Sequence, residues 1–264
     1  MQKDAHEVSN KNYSENMESL EDSYGGDYLR WKSWGNAEFG KLNKTEAAYY
    51  RAEISRTNYK FPKDSKILEI GFGNGAFLKY ALYKNWDVSG TEINEALVKT
   101  ALDHGCRAIH TDNLSSFQDN SFDLVVAFDV LEHIPQDALP LMILEIKRIL
   151  SDDGFFIARF PNGDSPFGLI NQNGDITHIT TIGSGKVNYF AAKTNMKIIF
   201  VGGEAQPLLG ISLLYFLHRM ISLPVKKLIN LFTKFIFFPR SNVAFCSSNL
   251  TMIYRKIKPT QQRL

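Results

Sequence analysis

Two apolar runs, LVVAF at 124–128 and FFIARF at 155–160, the second broken only by Arg159, constrain this chain more than any other feature. A strand covered on both faces is apolar at successive positions, whereas a strand with one wet face alternates. Around these runs, strand-like segments at 66–70, 87–91, 107–110, 122–128 and 154–160 alternate with helical patterns at 75–83, 95–103 and 137–150. That rhythm implies βαβ units and a doubly wound, Rossmann-like α/β sheet in three αβα layers. A helical pattern at 45–57, with Asn43 or Thr45 as N-cap, precedes it. After Phe160 the rhythm breaks: 161–182 reads as a long loop rich in Asn, Gly and Asp. A helix follows near 184–195, then strands at 196–201 and 248–256.

A length of 264 residues suits one α/β domain with additions. The expected parts are a polar N-terminal segment and helical cap (1–60), a nucleotide-binding core (61–204), a basic amphipathic insertion (205–246), and a final strand and tail (247–264). Cys106 and Cys246 lie far apart and form neither a disulfide framework nor a metal cluster, so they read as reduced packing residues of a cytoplasmic protein. Residues 1–27 are polar and acidic, without the basic start and apolar run of a secretory signal. Beyond residue 204 there is no Asp or Glu, while Arg219, Lys226, Lys227, Lys234, Arg240, Arg255, Lys256, Lys258 and Arg263 are basic. Such a tail meets either an anionic partner or the acidic front of its own chain.

The turn Gly71-Phe72-Gly73-Asn74-Gly75 lies between the first strand and a helix, where glycines admit a tight turn and close approach of backbone to a ligand. Glu92 ends the next strand, where a carboxylate can accept both hydroxyls of a ribose. A dinucleotide fingerprint would need glycine at 76; Ala76 stands there, and Gly75 comes one residue early. A nicotinamide dehydrogenase is therefore disfavoured.

The chain resembles the class I S-adenosylmethionine (SAM)-dependent methyltransferases, including those of quinone biosynthesis. The resemblance rests on ILEIGFGNGAF (67–77), VSGTEINEALV (88–98), IHTDNL (109–114), FDLVVAFDVLEHIP (122–135) and LEIKRILSDDGFFIARFPN (144–162), which keep the family's order and spacing. It implies a seven-stranded sheet whose last strand is antiparallel and inserts between its neighbours, with SAM as cofactor. It places Glu69, Gly71, Gly73 and Gly75 around the methionine part, Glu92 on the ribose and Ile93 against the adenine. Asp112 would accept from the adenine amino group, with Asn113 and Leu114 beside it, while Phe128 and Asp129 would border the cofactor amino group and the methyl. Asp112 and Asp129 can alternatively be helix caps. No metal is implied.

Methyl transfer to a hydroxyl also needs a base, a task suited to histidine. His133, in LEHIP, is either functional or a structural residue at a helix start. His178, in GDITHIT after the fifth strand, sits where ligands of open α/β sheets bind. Residues 161–181 resemble a bacterial methyltransferase subgroup often associated with surface-polysaccharide gene clusters, through Pro161, Asn162, Ser165, Pro166, Phe167, Gly168, Gly174, Asp175, Thr177 and His178. The segment WGNAEFGKL (34–42) is also similar to that subgroup. Ile179 stands where the subgroup often has an acid. The expectation is that His178 acts as base or orienting residue with Asp175 in support; an Asx-type turn holding a hydrogen-bonded His is the bland alternative.

In the insertion, Ser222-Leu223-Pro224 reads as a helix start, followed by an apolar stripe of Val225, Leu228, Ile229, Phe232, Phe235 and Ile236 opposite Lys226, Lys227, Asn230, Thr233 and Lys234. The apolar segment 208–217 is too short to span a bilayer. The helix fits an anionic membrane surface met through 208–238, a lid over a lipid-linked acceptor, a dimer interface, or ordinary core packing. Taken together, these features predict a methyltransferase, cytoplasmic or at the inner face of the plasma membrane. Its acceptor is expected to be a lipid-linked glycan, with a quinone or other lipophilic small molecule as the alternative. A non-catalytic SAM-binding docking protein is the reading from another class. A nucleic-acid substrate lacks a motif for a flipped base, and the sequence leaves the oligomeric state open.

Overall fold

A computed structural model describes residues 25–240 and 243–258. Most of the acidic N-terminal segment, and Arg263 of the basic tail, lie outside the described residues. Strands β1 (Lys66–Ile70), β2 (Asp87–Glu92), β3 (Arg107–His110), β4 (Phe122–Phe128), β5 (Leu150–Pro161), β6 (Lys197–Gly203) and β7 (Asn249–Arg255) form one seven-stranded sheet. Their order is β3-β2-β1-β4-β5-β7-β6. β7 runs antiparallel to both neighbours and lies between β5 and β6, as the family resemblance implies.

The two apolar runs do what their pattern predicts. Along β4, Val125 and Ala127 enter one core while Leu124 and Val126 enter the other, all fully buried. Helices α5 (Leu139–Ile149) and α7 (Ser184–Thr194) cover the first face through Ile143, Ile146, Val187 and Phe190. After a short first helix, α1 (Gly26–Lys32), helices α2 (Lys44–Ser55), α3 (Ala76–Tyr83) and α4 (Glu95–Asp103) cover the other through Ile54, Phe77, Leu78, Leu97 and Val98. Phe156 of β5 is fully buried. Phe156→Ala is expected to cost about 3–5 kcal/mol of stability, read as a lowered urea midpoint with unchanged slope.

Asn43 is the N-cap of α2, in a reciprocal capping box with Glu46. Buried Glu53, farther along α2, accepts hydrogen bonds from the Ala205 amide and the Thr251 hydroxyl and pairs with Arg56, tying α2 to the end of the sheet. Two local expectations need revision. The segment 161–182 is not all loop: it holds a 3-10 turn at Pro166–Gly168 and α6 (Leu169–Gly174). The insertion helix does not begin at Ser222. It is one 25-residue helix, α8 (Leu213–Phe237), capped by Ser212, with Pro224 inside it. Proline deprives residue 224 of a donor, but a helix already propagating on either side tolerates one missing bond.

The orientation of α8 is the larger correction. Leu213, Leu214, Leu217, Ile221, Val225, Leu228, Leu231, Phe232 and Phe235 all point outward and are at least half exposed. The side toward the body carries Arg219, Lys226, Asn230 and Thr233, with Phe216 and Leu223 half-buried beside them. Asn230 accepts from the Cys246 amide at 2.8 Å, and Arg219 donates to the Pro207 carbonyl. Among the described residues, the apolar stripe therefore does not pack into the chain's core.

Candidate functional site

The strand order reverses at β1, where β2 lies on one side and β4 on the other, so a crevice opens at their carboxyl ends. A cavity of about 410 Å³ occupies it. Gly71 follows β1, Glu92 ends β2, Asp112, Asn113 and Leu114 follow β3, and Val130 follows β4; all line the cavity with Ile93 and His133. Gly71 has φ +64°, and a Cβ there would meet Val130 at 2.7 Å. Gly75 caps α3 with φ +72°, and a Cβ would strike the Phe39 ring at 2.3 Å. Positive φ and no room for a side chain together account for glycine at these points.

Glu92 organises the turn. Its Oε2 accepts from the Gly73 amide at 3.0 Å, and its Oε1 accepts from Ile93 at 2.8 Å and Asn94 at 3.2 Å. Burial raises its carboxyl above the usual range, against these three amides, which favour the anion. Glu69 is buried beneath the turn with Oε2 unpartnered. Burial, then the nearby Glu92, pushes its carboxyl well up, which favours the neutral acid.

A second cavity, of about 400 Å³, lies beside the ends of β4 and β5, lined by Trp31, Lys32, Asp129, Glu132, Asp175 and His178 among others. The His133 and His178 rings meet edge to face with centroids 4.6 Å apart. This pair therefore stands between the two cavities. Nε2 of His178 lies 3.7 Å from Asp175 Oδ2 and 3.8 Å from Glu132 Oε1. Asp175 accepts from the Thr177 hydroxyl at 2.6 Å and pairs with Lys32 at 2.7 Å. Its burial opposes charge, but Lys32 and Thr177 prevail and hold the carboxyl well below the usual range. Burial, then His178, lowers His133 from 6.5 to about 4, so it is neutral at physiological pH. Its Nδ1 lies 3.0 Å from the Thr177 hydroxyl. Glu132 is fully buried with both carboxyl oxygens unpartnered, and burial raises its pKa strongly. Glu132, His133 and His178 each bring one ligand atom within 4.8 Å of the others, a spacing that a cation could use.

A family described as "Methyltransferase domain" matches residues 68–158. The chain is 30% identical over 117 residues to a ubiquinone biosynthesis O-methyltransferase of Idiomarina loihiensis, covering 40% of this chain and 46% of that protein. It is 36% identical over 116 residues to an uncharacterized protein of Methanocaldococcus jannaschii, covering 43% and 49%. A solved SAM-dependent methyltransferase from Archaeoglobus fulgidus shares the fold, with TM-score 0.59 and 20% identity over 80% of this chain and 94% of that one. Residues 68–158 therefore match a methyltransferase domain, on a fold shared with solved SAM-dependent methyltransferases. The chain spans about half the length of the curated relatives it matches.

The residues of this methyltransferase domain fit SAM. The first cavity has the size of a small-molecule site, the Glu92 carboxylate on its wall keeps lone pairs beyond those its amides use, and Ile93, Leu114 and Met142 give it an apolar side. Of the residues singled out in the sequence, Gly71, Glu92, Ile93, Asp112, Asn113, Leu114 and His133 line this cavity. Glu69, Gly73 and Gly75 do not; they form and underlie the turn, with Trp34 and Phe39 packed on its outer side. The Phe128 ring packs against Tyr49, Tyr50 and Phe77. Asp129 has φ +58° and its carboxylate is held by Arg159, with Nε at 2.8 Å. Asp129, Asp175 and His178 share the second cavity.

Sequence reasoning missed Lys32, Glu132 and Arg159. Glu132 was legible in LEHIP as an acid next to a buried leucine. Lys32 and Arg159 gave no local signal, because their partners lie far away in the chain.

Proposed function

We propose that the chain is a SAM-dependent methyltransferase that O-methylates a hydroxyl of a lipid-linked glycan. The observation that carries this reading is the His133–His178 contact, which joins the cofactor cavity to a second, polar cavity. SAM supplies an electrophilic methyl group when bound. The chain's task is to hold that methyl and an acceptor oxygen in line and to keep water out. Glu92 would hold the ribose, with Ile93, Asp112, Asn113 and Leu114 around the adenine. Glu69, Gly71, Gly73 and Gly75 would shape the methionine end, with Phe128 and Asp129 near the transfer point. His178 takes the hydroxyl proton, and the ionised Asp175, fixed by Lys32 and Thr177, stabilises the resulting imidazolium. His133, kept neutral by burial, holds the His178 ring edge to face.

Support for a glycan comes from the second cavity's lining: an aromatic ring, Trp31, faces the same space as Asp129, Asn171 and Asn249. A flat apolar face among hydrogen-bonding groups suits a sugar. The alternative, a quinone, draws on the similarity to the ubiquinone O-methyltransferase. Both acceptors are lipophilic, in accord with the outward apolar stripe of α8 and its exposed neighbours Lys227 and Arg240. We assign α8 to an anionic membrane surface, at the inner face of the membrane, where a lipid-linked acceptor would be met. Among the described residues no helix is long and apolar enough to cross a membrane.

His178→Ala is expected to lower turnover by about 10²–10⁴-fold while SAM affinity is retained. Tritiated SAM and membrane extracts measure the first, calorimetry the second. Full turnover by the variant would overturn the base assignment, and label in a quinone rather than a saccharide would select the alternative acceptor.

A further inference from the structure

Two of the basic residues of α8 lie away from its outer, membrane-facing side. Arg219 and Lys226, two turns apart, face the body, and with His218 they wall a cavity of about 380 Å³ between α8 and α2. Its opposite wall is Tyr49 of α2 and Arg159 of β5. The Tyr49 hydroxyl is buried and has no hydrogen-bond partner. A buried donor left unmatched is costly, and a ligand oxygen would satisfy it. The Arg159 guanidinium lies 4.9 Å from the Tyr49 ring centroid.

Two carboxylates also line this space, and both are engaged elsewhere. Glu46 accepts from the Asn43 amide in the capping box at 3.0 Å. Glu204 accepts from Asn249 Nδ2 at 3.0 Å and lies 4.0 Å from Arg159 Nη1. Among the described residues, no carboxylate pairs with Arg219 or Lys226 within ion-pair distance. The cavity therefore offers a phenolic donor and two cations not neutralised by the protein. Tyr49 keeps its proton, since burial raises its pKa well above 10. Arg159 also reaches away from this space to Asp129, which lines the cavity of His178, so the two spaces share a wall.

We propose that the cavity between α2 and the inner face of α8 binds a phosphate or diphosphate group. In assigning that group to the acceptor, the inference rests on the methyltransferase reading; the anion site itself does not. A guanidinium, an ammonium and a phenol converging on one space match the several oxygens of a phosphate. An anion held here would leave the rest of an amphiphilic acceptor beside the second cavity. The inverted helix then has one function on each side: the inner face recognises the charged group, and the outer face meets the lipid.

Calorimetric titration with inorganic pyrophosphate and with geranyl diphosphate tests this on the full chain. Wild type is expected to bind both. Lys226→Ala with Arg219→Ala should weaken each by at least tenfold, with SAM affinity unchanged. Because Arg219 also anchors Pro207, Lys226→Ala and Tyr49→Phe are measured singly, and each should lose affinity without loss of folding. Geranyl diphosphate binding more tightly than pyrophosphate supports a lipid-borne phosphate; equal binding supports a free phosphate as the ligand. No binding by wild type, or unchanged binding by Lys226→Ala and Tyr49→Phe, overturns the site. Neither outcome touches the His178 assignment, which is read from turnover.

Discussion

Glu92→Ala is expected to lower SAM affinity by about 100-fold while the chain stays folded. The carboxylate does two things at once. It lines the cofactor cavity, and it accepts the amides of Gly73, Ile93 and Asn94. Truncation leaves those amides without their acceptor, so the turn loses its shape as well as the carboxylate proposed to hold the ribose. Hydrogen bonds to a charged group contribute roughly 1.5–3 kcal/mol each, and about 1.4 kcal/mol is tenfold in affinity. Loss of two such bonds to the ligand, each at the lower end of that range, gives roughly the stated factor. Glu92→Gln is the informative companion. Its side-chain amide can accept at one atom only, yet amides reach both Glu92 oxygens, so it should fall nearer to alanine than to wild type. Calorimetry with SAM measures both, and circular dichroism checks the fold. Wild-type affinity in Glu92→Ala would remove Glu92 from the cofactor site.

The second large effect concerns the outer face of α8. Leu228→Glu with Phe232→Glu is expected to abolish co-sedimentation with vesicles containing anionic phosphatidylglycerol. Leu228 is 67% exposed and Phe232 63% exposed, so neither supports the folded body and neither change should lower its stability. Burying a large apolar side chain contributes about 1.5–3 kcal/mol. Two such losses, with two charges added against an anionic surface, should reduce partitioning by more than 100-fold. Neutral phosphatidylcholine vesicles should bind wild type more weakly than anionic ones. High salt should erase that difference but leave the apolar contribution. If the double variant sediments like wild type, α8 is not the docking element.

Several parts of the fold and the site are legible locally. The runs LVVAF and FFIARF require two covered faces, and a three-layer sheet is the way a chain of this length supplies them. The turn from Gly71 to Gly75 is equally readable, since three glycines at alternate positions after a strand mark a tight turn of positive φ; the blocked Cβ positions come from Val130, Trp34 and Phe39, which only the fold brings there. Glu92 follows because it ends a strand beside that turn. The His178 segment was recognisable as a functional loop, though its two short helical pieces were not. They are too short for periodicity to show.

What the sequence by itself determined is the set of features that depend on neighbours within a few residues: strands, the glycine turn, the Glu92 position and the two-sided character of α8. Only the tertiary structure decided which side of α8 faces inward. Periodicity shows that a helix has a polar and an apolar face, but the partner sets its rotation. Here the body presents Tyr49, Arg159, Glu204 and the Cys246 amide, so the polar side turns in and most of the leucines turn out, Leu223 excepted. The same reason hides the pairing of Asp129 with Arg159, of Asp175 with Lys32, and of His133 with His178. Each of these joins segments far apart in the chain, and folding alone makes them neighbours.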